Sequence, residues 1–191
     1  MYRIISKLLV FIAKLIEKQF STDLLKSNNQ NNTNNMREID EIIIHCSATR
    51  PDQNISAADI NQWHIIKGWK GIGYHFFIKL DGTIEPGRPI NQIGAHCKGN
   101  NSYSIGICYA GGTVRINDQA YHTDTRTPEQ IRSMYLLIVT LLHCYPSIKK
   151  ISGHNEYAKV DCPCFNVEDE YGNLIKTLKE HAFFKSKAIP R

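Results

Sequence analysis

The chain has 191 residues, 42% of them apolar and 21% charged, a balance suited to one folded domain with a sizeable core plus some additional sequence. Its net charge of +5 sits in the ends. Residues 1–36 carry five basic and two acidic side chains and residues 176–191 carry five basic and one acidic, while the stretch between has 13 basic and 15 acidic. A body without excess positive charge excludes a phosphate-tracking nucleic-acid-binding domain and leaves the ends as the parts suited to an anionic surface.

Along the chain, residues 2–20 place Ile5, Leu8, Leu9, Ile12, Leu15 and Ile16 at helical spacing, with Lys7, Lys14 and Lys18 off that stripe. The spacing predicts a basic amphipathic helix within residues 1–26. It either lies on a membrane surface or docks on the domain or a partner. Its unbroken apolar run, Leu8–Ala13, falls far short of the ~20 residues of a spanning helix, and no small-residue cleavage site follows it. Residues 27–36 are an Asn-rich tract with almost nothing to bury and read as a flexible linker. The folded domain is expected over 37–184, followed by a basic tail, 185–191.

Within that domain Glu41–Cys46 is a β-branched run that reads as a buried strand. Ser56 is the expected N-cap of a helix to about Gly68 that carries Ile60, Trp63, His64 and Lys67. Tyr74–Lys79 and Thr83–Pro86 read as two strands joined at Asp81-Gly82. Ser104–Tyr109 is another buried strand, stopped by Gly111-Gly112. Thr127-Pro128 opens a helix to about Tyr145, and residues 168–184 form a last one. Strands alternating with helices imply an α/β domain, a sheet covered by helices.

Of the six cysteines, those at 46, 97, 108 and 144 lie in apolar stretches and read as buried thiols. Cys162 and Cys164 flank Pro163 in a segment without periodicity, so packing does not account for both. His45 ends an apolar strand, at the mouth of a cleft. His154 follows Gly153, where the backbone can turn sharply. Cys162 lies eight residues later, too far for the i, i+4 pairing of a helical zinc motif, so both would reach inward from a loop. Two imidazoles and a thiolate suit zinc. Three protein ligands would leave the fourth position to water, a catalytic arrangement, whereas a structural zinc would need a fourth, with Cys164 or Cys46 as nominees. Cys46 is the poorer of these, because neighbours in a strand point to opposite faces. Spacing leaves both arrangements open.

The segments I-I-I-H-C-S-A-T (42–49), Q-W-H (62–64), G-W-K-G-I-G-Y-H-F-F-I (68–78), D-G-T-I-E-P-G-R (81–88), G-A-H-C-K-G-N-N-S-Y-S-I-G-I-C (94–108), G-H-N-E (153–156) and C-P-C-F (162–165) occur in one order. Together they resemble the type 2 N-acetylmuramoyl-L-alanine amidases, which include phage lysozymes and share their fold with the peptidoglycan recognition proteins. The likeness covers roughly residues 38–178. It implies a central mixed β-sheet flanked by helices, and hydrolysis of the amide between N-acetylmuramic acid and L-alanine in peptidoglycan by water activated on one catalytic Zn2+. It implies His45, His154 and Cys162 as zinc ligands, Tyr74 as the active-site tyrosine and His96 as a substrate-binding residue lining the cleft. It further implies an endolysin-like monomer acting on the cell wall, with peptidoglycan as its partner.

One position departs from the phage members, which carry a catalytic lysine two residues before the ligand cysteine. Val160 stands there, and Lys159, one residue earlier, is a partial substitute at best. The alternative is a non-catalytic muropeptide-binding module of the same fold; such members typically lose the third ligand, which here is Cys162.

Overall fold

The computed structural model describes residues 37–187. The amphipathic helix expected within 1–26, the linker 27–36 and the end of the basic tail lie outside the described residues. Arg37 opens the domain by donating from its guanidinium to the carbonyls of Ile90, Ser102 and Ser104, at 2.7, 3.2 and 3.0 Å.

The elements in chain order are β1 (Glu41–Cys46), α1 (Ala57–Ile66), β2 (Phe76–Ile78), β3 (Ile84–Pro86), β4 (Ser104–Tyr109), β5 (Thr113–Ile116), β6 (Gln119–His122), α2 (Pro128–Cys144), β7 (Lys150–Gly153), a 3-10 turn (His154–Glu156), α3 (Val167–Tyr171) and α4 (Leu174–Lys187). Five strands form one sheet in the order β3-β2-β4-β1-β7. β1 runs parallel to both β4 and β7, β2 runs parallel to β4, and only the edge strand β3 is antiparallel. This is the expected mixed sheet.

Both central strands, β1 and β4, are buried along their whole length, which is why they read as continuous apolar runs instead of alternating. Strand parity sorts their side chains. Ile42, Ile44 and Cys46 of β1 join Ile105, Ile107 and Tyr109 of β4 and Met134, Leu137, Ile138 and Leu141 of α2 in one cluster. A second cluster holds Ala57 and Ile60 of α1 with Phe77, Cys108, Ala110 and Ile72. The two helices therefore cover opposite faces, and His45, one residue out of phase with Cys46, belongs to the α1 face.

Local chemistry sets the helix starts. Ser56 and Asp59 form a reciprocal capping box, as do Thr127 and Gln130, with Pro128 at the first position of α2. Gln130 is fully buried, and its amide also donates to the carbonyls of Ile78 (3.2 Å) and Ala110 (2.8 Å), which ties α2 to the ends of β2 and β4.

Several expectations are corrected. β2 begins at Phe76, not Tyr74, because the carbonyls of Tyr74 and His75 accept from Arg88 and Gly87 in the loop beyond β3. The last helix is two, α3 capped by Asn166 and ending at Gly172, then α4. Cys144, at the end of α2, is exposed. The β5–β6 hairpin was not expected; Asn117 and Asp118 turn it with φ of 49° and 62°, a pair suited to a type I′ turn.

Candidate metal centre

Strand pairing builds the site. β1 and β7 pair in parallel with Ile44 opposite Gly153, so the next residue of each, His45 and His154, leaves the sheet side by side, with ring centroids 4.6 Å apart. Gly153 also admits the third segment: a Cβ there would meet Pro163 Cδ at 2.8 Å. That segment is held by backbone and side-chain bonds, since Asn155 N–H donates to the Cys162 carbonyl (2.8 Å) and the buried Tyr109 hydroxyl donates to the Pro163 carbonyl (2.7 Å).

The result is one cluster of donors. Ligand atoms of His45, His154 and Cys162 all lie within 4.8 Å of one another. Cys162 Sγ is 3.8 Å from His45 Nδ1, close to the ~3.5 Å that two ligands of a tetrahedral zinc keep between them. Cys46 N–H points at the same sulfur from 3.2 Å, an N–H dipole that favours the thiolate. Borderline nitrogen donors, a thiolate and this spacing fit zinc.

Cys164 turns away. Its φ is +71°, and its sulfur lies 3.7 Å from Cys46 Sγ and 3.4 Å from the Gly112 carbonyl oxygen. Among the described residues neither Cys46 nor Cys164 joins the three-donor cluster.

Burial decides the protonation of the histidines. It holds His45 well below the ordinary histidine value, with His96 and His154 adding to the effect, and it also lowers His154. His96 is pushed down to about 3, by burial first and then by Arg37 and His154. His75, fully buried, is likewise well below. All are neutral near pH 7, with lone pairs available. The unfolded chain, whose histidines titrate near ~6.5, binds more protons than the folded one once the pH falls below that value. The metal-free protein is therefore expected to lose stability steadily as the pH drops from about 6.5 toward 3. Denaturant melts at a series of pH values measure this; a flat profile across that window would contradict it.

The other expected residues are placed as follows. Tyr74 is half-buried, its ring 5.1 Å from His45 and 5.6 Å from His64. Burial, with the Cys108 and Cys162 sulfurs adding, raises its phenol well above the usual range, so it remains an O–H donor. His96 lies behind His45, Nδ1 to Nε2 at 3.1 Å. Lys159 is exposed and makes no hydrogen bond or ion pair with the described residues, and Val160 is exposed too. An open cavity of about 560 Å³ lies against this loop, lined by His122, Asn155, Glu156, Val160, Asp161 and Cys164 among others.

Two supports were missed by sequence reasoning. His64 Nδ1 accepts from Gly73 N–H at 3.0 Å, just before Tyr74, and its ring packs on Trp69. Arg126 pairs with Asp124 (2.8 Å) and Glu170 (2.5 Å) while its guanidinium lies 3.2 Å over the Phe165 ring, three residues beyond Cys162. The His64 position was visible in Q-W-H; nothing local marks Arg126.

The fold and donor set thus define a mixed α/β domain with a His-His-Cys cluster able to hold a metal ion. Residues 35–165 match the family model described as N-acetylmuramoyl-L-alanine amidase, and the chain belongs to that family. It is 44% identical over 129 residues to the endolysin of Escherichia phage T7, covering 68% of this chain and 83% of that one. Over 136 residues it is 31% identical to peptidoglycan-recognition protein SC1a of Drosophila melanogaster, covering 67% and 69%. Among solved structures it resembles the endolysin N-acetylmuramoyl-L-alanine amidase LysCS from Clostridium intestinale, with a TM-score of 0.58 at 34% identity over 73% of this chain and 85% of that one. The chain is an amidase that acts on peptidoglycan.

Proposed function

We propose that this amidase cleaves the bond between the lactyl carbonyl of N-acetylmuramic acid and the amine of L-alanine, with one zinc held by His45, His154 and Cys162. The observation that carries the reading is the convergence of these three donors within 4.8 Å, with Cys164 turned aside. A bound zinc supplies Lewis acidity toward water and the carbonyl at neutral pH.

The chain's own groups do the rest. The two imidazoles are neutral and offer lone pairs; the neighbouring Cys46 sulfur and burial push the Cys162 thiol up, so its thiolate would form with the metal, and Cys46 N–H favours that form. The protonated Tyr74 hydroxyl orients the water or donates to the oxyanion that develops on the carbonyl. Hydrolysis breaks the C–N bond and adds water across it: the water oxygen stays on the lactyl carbon as a carboxylate, and both water protons end on the L-alanine nitrogen, which leaves as an ammonium. Lys159 is at most an auxiliary cation, because its side chain is exposed and makes no bond or ion pair with the described residues. A binding module without catalysis would not require a complete donor set.

Mass analysis of digested, purified peptidoglycan tests the bond. Stem peptides with a free L-alanine amine are expected, no longer joined to muramic acid. A zinc chelator should stop their release and added Zn2+ should restore it. Peptides still bearing muramic acid, or release indifferent to chelation, would defeat the proposal. In the same assay Lys159→Ala is expected to retain most of the activity; a loss as large as that of a ligand variant would put the lysine into the catalytic scheme.

A further inference from the structure

We infer that His96 is a positioning residue for the metal centre: it accepts a hydrogen bond from His45 Nε2–H and thereby holds His45 in the tautomer whose Nδ1 lone pair faces Cys162. The inference rests on the zinc reading above and goes beyond it, since the family likeness places His96 only as a cleft residue that meets substrate.

In His45, Nδ1 is the nitrogen that faces the Cys162 sulfur, 3.8 Å from Sγ. A neutral imidazole has one N–H and one lone pair, so a lone pair at Nδ1 requires the proton at Nε2. His45 is 1% exposed, and a buried N–H needs an acceptor. The partner within reach is His96 Nδ1 at 3.1 Å. His96 must then carry its own proton on Nε2.

This assignment leaves His96 Nε2–H buried without a hydrogen-bond partner among the described residues, a cost set against the lone pair that Cys162 and the metal require at His45 Nδ1, and the ring's one polar contact is the one to His45. The ring lies between Gly94 and Gly106, where a Cβ on either would come within 2.5 Å of its Cδ2. Asn101 Oδ1 accepts from both His96 N–H (2.8 Å) and Cys97 N–H (2.9 Å), which fixes the backbone beneath it. Next to it His75 is held in place, its Nδ1 accepting from Gly106 N–H (2.9 Å) and its Nε2 lying 3.1 Å from the Gln92 carbonyl and 3.0 Å from Arg37 Nη2. A ring that is buried, wedged between two glycines and bonded at one nitrogen is arranged to orient its neighbour.

Zinc affinity tests the assignment directly, by competition with a chromophoric chelator on the whole protein. His96→Ala is expected to weaken zinc binding about 10- to 100-fold, the usual cost of losing the partner behind a metal-bound histidine. His96→Asn, whose Oδ1 falls where Nδ1 sits, should restore most of that loss, and His96→Gln, whose polar atoms fall farther out, should not. In the wild-type, zinc-loaded protein, nitrogen NMR should report His45 with its proton on Nε2, a readout that needs no variant to fold. Wild-type zinc affinity in His96→Ala, an equal deficit in His96→Asn, or His45 protonated on Nδ1 would each overturn the inference while leaving the metal centre standing. Failure of the wild-type protein to bind zinc would sink the metal reading itself, and this inference with it.

Discussion

Cys162→Ser is expected to leave the chain folded and to lower kcat/KM on purified peptidoglycan at least about 10³-fold, the scale of several kcal/mol of Lewis-acid stabilisation. Serine keeps the size of the side chain but offers a hydroxyl that stays protonated near neutral pH, so two neutral imidazoles remain to hold a divalent cation. Packing changes little, because Cys162 is only partly buried against the core. Zinc content after dialysis should fall with activity. Cys164→Ser is the internal comparison: its sulfur touches Cys46 and the Gly112 carbonyl, so zinc and turnover should both persist. Zinc retained in the first variant and lost in the second would move the third ligand to Cys164.

Arg126→Ala is the substitution outside the donor set with the largest expected effect on stability. The Arg126 side chain is 1% exposed, while its partners Asp124 and Glu170 are each 36% exposed. Two carboxylates would lose their shared cation and Phe165 would lose the plane above its ring. Removing one partner of a buried pair costs about 3–5 kcal/mol, and the partial exposure of the carboxylates brings this to roughly 2–3 kcal/mol. For a domain of this size that is a fall of roughly 4–12 °C in Tm. Zinc affinity should weaken as well, since Phe165 and the Cys162 loop share that support. Arg126→Lys should recover little, because an ammonium neither forks between two carboxylates nor stacks flat on a ring. Thermal melts with and without zinc measure both effects; a Tm within 1 °C of wild type would remove the clamp from this account.

Much of the scaffold was legible because its signals are local. β1 and β4 are short, largely apolar runs built around Ile42–Ile44 and around Ile105 and Ile107, and burial on both faces is what such runs encode. Ser56 and Thr127 cap helices through side chains three residues away, and Asp81-Gly82 turns the β2–β3 hairpin. Where the signal was not local, reading failed. β5 and β6 are four residues each and largely exposed, so they bury too little to stand out as strands. β7 has four residues and exists because β1 offers it an edge. The last helix divides at Gly172, a break that a helical pattern alone does not mark.

The same division runs through the site. The sequence by itself determined its chemistry: the kinds of donor at His45, His154 and Cys162, a glycine before the second histidine and a proline after the cysteine, in family blocks whose order is enough to name the reaction. Only the tertiary structure decided the geometry. His45 and His154 are 109 residues apart, and the parallel register of β1 with β7 brings them together, while Asn155 N–H and the Tyr109 hydroxyl hold the Cys162 segment against them. The fold also turns the Cys164 sulfur through a positive φ toward Cys46, away from the cluster of His45, His154 and Cys162, and it sets His96 Nδ1 3.1 Å from His45 Nε2. The physical reason is that ligand type is a property of one side chain, whereas convergence, burial and tautomer belong to contacts between segments that meet only when the sheet is assembled.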